Sequence, residues 1–233
     1  MTHRFFIEED VGDTVILRGP QAHQIANVLR LGAGDEITVV RSGVESLIRL
    51  EKVDASEVRG RCLSRRAVDA EPRVQLTLAL PILRGDRSEE VIEAVTQLGV
   101  SRFVPFVSAR SVVRELPRAK RERWVRIAQE SAETARRGRI PAVDEVAQWD
   151  RLFGVLDPPA LVAWEGEALV HVSEVAAGPR LSLVIGPEGG LAIDEIAYAR
   201  EQGAVAVTLG PRNLRSETAA IAAVTQVMAI LER

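Results

Sequence analysis

The sequence predicts an α/β fold in two parts, a small N-terminal β-barrel over residues 1–70 and a parallel-sheet domain over residues 73–233. Three observations predict it. The first seventy residues break into short strand-like runs joined by close turns, the pattern of a small barrel. Beyond Pro72, strand-like and helix-like stretches alternate, which implies parallel strands with helical crossovers. Within that second part Leu183-Val184-Ile185 is a continuous apolar run, as expected for a strand covered on both faces.

In chain order, Arg4–Ile7 and Thr14–Leu17 are predicted strands, and Gln21–Leu31 a helix with Ile25, Val28 and Leu29 on one side. Gly32-Ala-Gly-Asp35 turns the chain into strands at Glu36–Val40, Leu47–Val53 and Val58–Leu63. Asp69–Arg73, centred on Pro72, is the predicted domain boundary. Val74–Leu80 alternates as a strand does. Asp86 and Glu89 read as a capping box for a helix with Val91, Ile92, Val95 and Leu98 on its apolar face, stopped by Gly99. Arg102–Val107 is the next strand. Pro117–Arg137 is a long basic helix whose Trp124, Ile127, Ala128 and Ser131 are spaced to face a core. Leu161–Trp164 and Val205–Leu209 are further strands, and Ile193–Glu201 and Glu217–Leu231 further helices. The last is apolar nearly all round and needs cover on every side, either inside one subunit or from a second copy of the chain.

A hydrophobic content of 46% supports real cores. No run approaches a membrane span and no signal segment is recognisable at the start, so a cytoplasmic location is expected. Cys62 is the only cysteine, which excludes a disulfide framework, and His3, His23, His171 and Cys62 lack the spacing of a metal site. The net charge of −3 argues against nucleic acid, yet the distribution does not. Residues 110–139 hold ten basic side chains against four acids, and all but Lys52 and Lys120 of the thirty basic residues are arginine. Arginine makes bidentate phosphate contacts.

The most unusual residues fall in two turns of one design. Leu181-Ser-Leu-Val-Ile-Gly186-Pro187-Glu188-Gly189-Gly190 and Leu209-Gly210-Pro211-Arg212-Asn213-Leu214-Arg215-Ser216-Glu217 each run from a short apolar strand through Gly-Pro into a polar helix start. The glycines admit close backbone approach and the prolines stiffen the turn. If the two strands are neighbours, both turns reach one rim of the sheet, where α/β folds bind ligands. No nucleotide-hydrolase, dinucleotide or nucleophile-elbow motif is present.

Ile185-Gly-Pro-Glu-Gly-Gly190 and Leu209-Gly-Pro-Arg-Asn-Leu-Arg-Ser-Glu-Thr-Ala219 resemble the signature loops of the RsmE family, SPOUT-class methyltransferases acting on uridine N3 of small-subunit ribosomal RNA. Arg4–Ile7, His23–Leu31, Leu80–Arg87, Gln97–Val100, Ser108–Val112 and Arg139–Pro141 extend the resemblance. Ala94, Gln97 and Thr134-Ala135 depart from it. The resemblance implies a PUA-like RNA-binding N-terminal domain, a SPOUT domain with a trefoil knot, a homodimer with a shared site, and 16S rRNA as partner. It also implies S-adenosyl-L-methionine as cofactor, lined by Ile185, Gly186, Glu188, Gly189, Gly190, Leu209, Gly210, Asn213 and Leu214. His3, Arg4, His23, Arg30, Arg84, Arg110, Arg114 and Arg137 are the expected RNA contacts. For attack by uracil N3, Arg215 is the expected cation beside the charge developing on O2 and O4. Arg212 shares that role or holds phosphate, and Glu217 orients an arginine, relays the proton or complements the helix dipole. No histidine lies near the turns in sequence, so none is named as base. C5 methylation is disfavoured because it proceeds through a cysteine adduct and Cys62 lies in the N-terminal part. A ribose 2′-O-methyltransferase and a non-catalytic RNA-binding assembly factor are the rival readings.

Overall fold

The structure is a computed structural model that describes residues 2–175 and 178–232. The chain forms two compact units, Met1–Glu71 with Ala132–Arg139, and Pro72–Ser131 with Ile140–Arg233. The return of residues 132–139 to the first unit has no signature in the local sequence.

The first unit contains β1 (His3–Phe6), β2 (Thr14–Arg18), β3 (Glu36–Arg41), β4 (Val44–Val53) and β5 (Glu57–Ala67). A short helix, α1 (Pro20–His23), continues as a π-helical turn over Gln24–Val28, three residues short of the predicted helix end, and Arg30 follows at φ 55°. Alternating side chains point inward, Val15 and Leu17 from β2, Ile37 and Val39 from β3, Ile48 and Leu50 from β4. The strand order is β1-β3-β4-β5-β2, with β1 parallel to β3 and the rest antiparallel. No ladder joins β1 to β2, so the expected barrel is an open, half-barrel sheet. Segment 132–139 is held by Glu71, whose carboxylate accepts from Arg137 Nε (3.2 Å) and Nη2 (3.1 Å) and from the N–H groups of Gly138 (2.8 Å) and Arg139 (3.1 Å). Arg4 donates to the Arg137 carbonyl (2.9 Å) and pairs with Glu45.

The second unit contains β6 (Gln75–Pro81), α2 (Arg87–Gln97), β7 (Arg102–Val107), most of α3 (Arg118–Thr134), β8 (Ala142–Val143) and β9 (Ala147–Gln148). Then follow α4 (Trp149–Leu152), β10 (Ala160–Ala163), α5 (Val172–Val175), β11 (Arg180–Ile185), α6 (Ile193–Glu201), β12 (Val205–Val207) and α7 (Ser216–Leu231). The sheet is parallel in the order β12-β10-β11-β6-β7-β8, with β9 also on β7. Helices cover both faces. Leu76, Leu78, Leu80, Leu161 and Leu183 meet α2, α3 and α7 through Val91, Trp124 and Val224. Ala79, Val104, Phe106, Val162 and Val184 meet α4 and α6 through Leu152 and Ile196. This two-sided cover explains the continuous apolar strands.

Two expectations need correction. β11 and β12 are not neighbours, because β10 lies between them. The Asp86–Glu89 capping box is also absent. The Asp86 side chain makes no cap hydrogen bond, the N–H groups of Glu89 and Glu90 donate to its carbonyl, and the Glu89 carboxylate pairs with Arg123 on α3 at 2.8 Å. A nearly buried carboxylate gains more from a guanidinium than from an N-terminal amide. On α7, Ala220, Ala223, Val224, Val227 and Met228 are buried within the unit, whereas Ile221, Ile230 and Leu231 remain partly exposed.

Candidate active site

Because β10, β11 and β12 run parallel, their C-terminal ends reach one rim, where they hand on to Trp164, Gly186 and Thr208. Segment 164–172 is laced to the end of β12. Trp164 N–H donates to the Val207 carbonyl (3.1 Å), Thr208 N–H to Val170 (2.8 Å) and Val172 N–H to Thr208 (3.2 Å). These three ends enclose a cavity of about 1220 Å³. Small-molecule pockets typically measure ~300–1,000 Å³, so it has room for a cofactor-sized molecule. Its walls include Ile185, Gly186, Glu188, Gly189, Gly190, Leu209, Gly210, Asn213 and Leu214, together with Arg212, Arg215 and Glu217.

The first glycine turn is gripped by the loops after β6 and β7. Glu188 Oε1 accepts the Arg84 N–H (3.1 Å), Arg110 Nη1 donates to the Gly189 carbonyl (3.3 Å), and a Cβ on Gly189 would fall 3.0 Å from Arg110 Cβ. Glu195 ties the N-terminus of α6 to the β7 loop by accepting from Ala192 N–H (2.9 Å) and Ala109 N–H (2.8 Å). Gly190 stands at φ +69° and Gly210 at φ +116°, a backbone that L side chains rarely adopt. The result is a stiff wall of main-chain groups and small residues, which fits the adenosine and amino-acid portions of S-adenosylmethionine.

Charge is concentrated at the second turn. Arg215 is the N-cap residue of α7, exposed and without an ion pair among the described residues. Arg212 is also exposed and lies beside Gly210. Glu217, in the first turn of α7, has one carboxylate oxygen 4.0 Å from Arg87 Nε and the other buried without a hydrogen-bond partner. The fold brings in residues that sequence reasoning missed, namely Arg87, Trp164, Glu165, Glu167, Leu169 and His171. His171 reaches the wall through its parallel bridge to Thr208. Its Nδ1 accepts the Ser173 N–H (3.2 Å) and lies 2.7 Å from Ser173 Oγ, which places the neutral ring's proton on Nε2. Arg87 alone had a sequence signal, as the end of the Leu80–Arg87 string.

The expected RNA contacts separate into two groups. His3, His23 and Arg30 are exposed on the first unit, and Arg84, Arg110 and Arg114 are exposed on the second. Arg4 and Arg137, with side chains 8% and 2% exposed, are interior ion-pair residues of the first unit rather than surface cations. The basic helix is likewise largely committed. Arg118 pairs with Glu122 (2.8 Å), Lys120 donates to the Gly85 carbonyl (2.7 Å), Arg121 donates to those of Val143 and Asp144, and Arg123 pairs with Glu89.

Comparison with known proteins follows the same lines. Residues 70–228 match the model of the RNA methyltransferase domain family. Ribosomal RNA small subunit methyltransferase E of Bacillus subtilis is 33% identical, over 96% of this chain and 95% of its own length. The Mycobacterium tuberculosis protein of that name is 34% identical, over 96% and 89%. The crystal structure of the Neisseria gonorrhoeae methyltransferase E bound to S-adenosyl methionine superposes with a TM-score of 0.90 at 28% identity, covering 98% of each chain. A Legionella pneumophila methyltransferase solved with its SAM cofactor gives 0.90 at 26%, also covering 98% of each. With a cavity that gathers both glycine turns, a domain match over most of the chain and relatives aligned nearly end to end, the chain belongs to the ribosomal RNA small subunit methyltransferase E family.

Proposed function

We propose that this protein transfers a methyl group from S-adenosylmethionine to N3 of a uridine in small-subunit 16S ribosomal RNA. The single observation that carries the reading is the convergence of both Gly-Pro turns and the Arg212–Glu217 segment on one cavity. When bound, S-adenosylmethionine supplies an electrophilic methyl on a sulfonium. The chain's task is then to align the acceptor and support its charge. Uracil N3 loses its proton to solvent and the charge spreads over O2 and O4. Arg215, permanently protonated and not engaged by the fold, stabilises that charge. Glu217 steers Arg87 across the same wall. A ribose hydroxyl, a much weaker acid, would need an aimed base. His171, the one histidine on the described wall, already uses Nδ1 to accept from Ser173. That favours the ring nitrogen over the 2′-oxygen.

The finer assignments belong to the same proposal. The half-barrel unit acts as a PUA-like RNA grip through His3, His23 and Arg30, and Arg84, Arg110 and Arg114 take phosphates beside the cavity. A trefoil knot in the second unit belongs to the same reading. A second copy covers Leu169, which is 87% exposed, and the outer side of α7, giving a cytoplasmic homodimer that acts on the small ribosomal subunit. Nucleoside mass spectrometry of 16S rRNA from a deletion strain tests the reaction. Loss of 3-methyluridine, restored by the gene, is expected. Loss of a 2′-O-methylated nucleoside with 3-methyluridine unchanged would refute the assignment.

A further inference from the structure

The segment after β10 is tied down at every polar position but one. Glu167 N–H closes a turn on the Trp164 carbonyl (3.1 Å). Gly166 leaves room for the Trp164 ring, since a Cβ there would fall 2.7 Å from Cε2. The Arg200 guanidinium lies 5.9 Å from the centre of that ring. Glu167 accepts from the N–H groups of Ala168 (3.0 Å), Leu169 (2.9 Å) and Val170 (3.3 Å) with one oxygen, and from Arg200 (3.1 Å) with the other. Glu165 is left over. Its carboxylate makes no hydrogen bond or ion pair among the described residues and lies over Gly190, where an added Cβ would fall 2.6 Å from Oε1.

The cavity wall holds five carboxylates against three arginines. Glu167, Glu188 and Glu217 are engaged by Arg200, by the Arg84 N–H and by Arg87. Glu165 and Glu174 make no ion pair among the described residues and Arg212 and Arg215 both belong to the β12–α7 turn, so the uncompensated negative charge lies along segment 165–174, where Glu165 is the carboxylate set against the first glycine turn. An exposed carboxylate with no partner among the described residues fits a cation that donates hydrogen bonds. A ribose diol offers a carboxylate only neutral O–H donors, and a sulfonium has no N–H to give. A primary ammonium gains the stronger, charge-assisted bond.

We propose that Glu165 is a cofactor-specificity residue that pairs with the α-ammonium of the donor's methionine end. This rests on reading the cavity as the S-adenosylmethionine site. The test is calorimetric titration of wild type, Glu165→Gln and Glu165→Asp with three ligands: S-adenosylmethionine, S-adenosylhomocysteine and 5′-methylthioadenosine, which lacks the amino-acid tail. Loss of a charge-assisted hydrogen bond lowers affinity about ten- to a hundredfold. The expected result is that Glu165→Gln loses this much for the first two ligands and nothing for the third, with partial recovery in Glu165→Asp. Equal loss for all three would assign the residue to the ribose, loss for S-adenosylmethionine alone would assign it to the sulfonium, and no loss would leave it no role; each overturns the proposal. Failure of wild type to bind S-adenosylmethionine would instead overturn the reading of the cavity, and the proposal with it.

Discussion

Replacing Arg215 by alanine separates chemistry from folding more cleanly than any other change at this site. The side chain is exposed at the N-cap of α7 and makes no ion pair among the described residues. Its removal therefore changes folding stability by no more than about 0.5 kcal/mol. Catalysis is a different matter. A fixed cation ~4 Å from the delocalised charge, at the effective dielectric of a partly exposed site, contributes about 4 kcal/mol. Measured losses of a single oxyanion donor are ~10²–10³ in rate. Arg215→Ala should therefore lower single-turnover methyl transfer by about two to three orders of magnitude. Affinity for S-adenosylmethionine, read by calorimetry, should stay within about twofold. Arg215→Lys keeps the charge but not the planar fork, and should recover part of the rate. The variant should also gain more from rising pH than wild type does, because an unassisted N3–H must lose its proton to solvent. An equal fall in turnover and cofactor affinity would refute the assignment and make Arg215 a cofactor-binding residue.

Gly190→Ala places a Cβ 2.6 Å from Glu165 Oε1 at φ +69°. The positive φ should cost about 1–2 kcal/mol of stability, read by thermal melting, and a neutral variant would show that the turn relaxes to another backbone conformation. Glu71→Ala strips Nε and Nη2 of the buried Arg137 of their carboxylate and should destabilise the protein by about 3 kcal/mol in urea denaturation; a change below about 1 kcal/mol would show that the pair is dispensable. Asp54, in the turn between β4 and β5, is held at about 2 by the Ser56 hydroxyl and the N–H groups of Glu57 and Ser56. A depressed carboxylate stabilises the turn above its ordinary value of 3.8, and the effect is lost as pH falls toward 2; a carboxyl NMR titration with its midpoint near 3.8 would show that these bonds do not hold in solution. Glu167→Gln weakens the acceptor for three N–H groups and Arg200, and should raise KM for S-adenosylmethionine more than it lowers kcat; equal effects on both would assign it a role in the chemical step.

What was legible in the sequence is what local chemistry writes there. The Gly186-Pro187 and Gly210-Pro211 turns, the two-sided strand at Leu183–Ile185 and the core face of α3 through Trp124 and Ala128 all follow from residue type and spacing. Long-range order did not. Nothing near Leu161–Trp164 says that this strand inserts between the two carrying the glycine turns, and that insertion is what brings Glu165 and His171 to the cavity. Partner choice was equally hidden. Glu89 sits where a capping box wants it, yet Arg123, thirty-four residues later, takes its carboxylate. Arg137 looks like one more surface cation in a basic helix until Glu71 is placed against it.

The commitments within that helix also change what its charge means. A guanidinium already bonded to the fold shares its charge and some of its five N–H donors with that partner, so the positive sum over residues 110–139 overstates what RNA can use. Arg118, Lys120, Arg121, Arg123 and Arg137 are engaged in this way. Of the expected contacts in the second unit, Arg84 and Arg110 touch the first glycine turn through their own backbone or side chain, and Arg114 reaches the same loop at the Ala109 carbonyl (3.5 Å). With Arg212 and Arg215 they group five exposed cations about the two glycine turns, while Arg126 also stands exposed on α3. A phosphate drawn to Arg110 would therefore arrive against the turn that holds Gly189. Within the basic helix, Lys120, Arg121 and Arg123 fasten α3 to its neighbours.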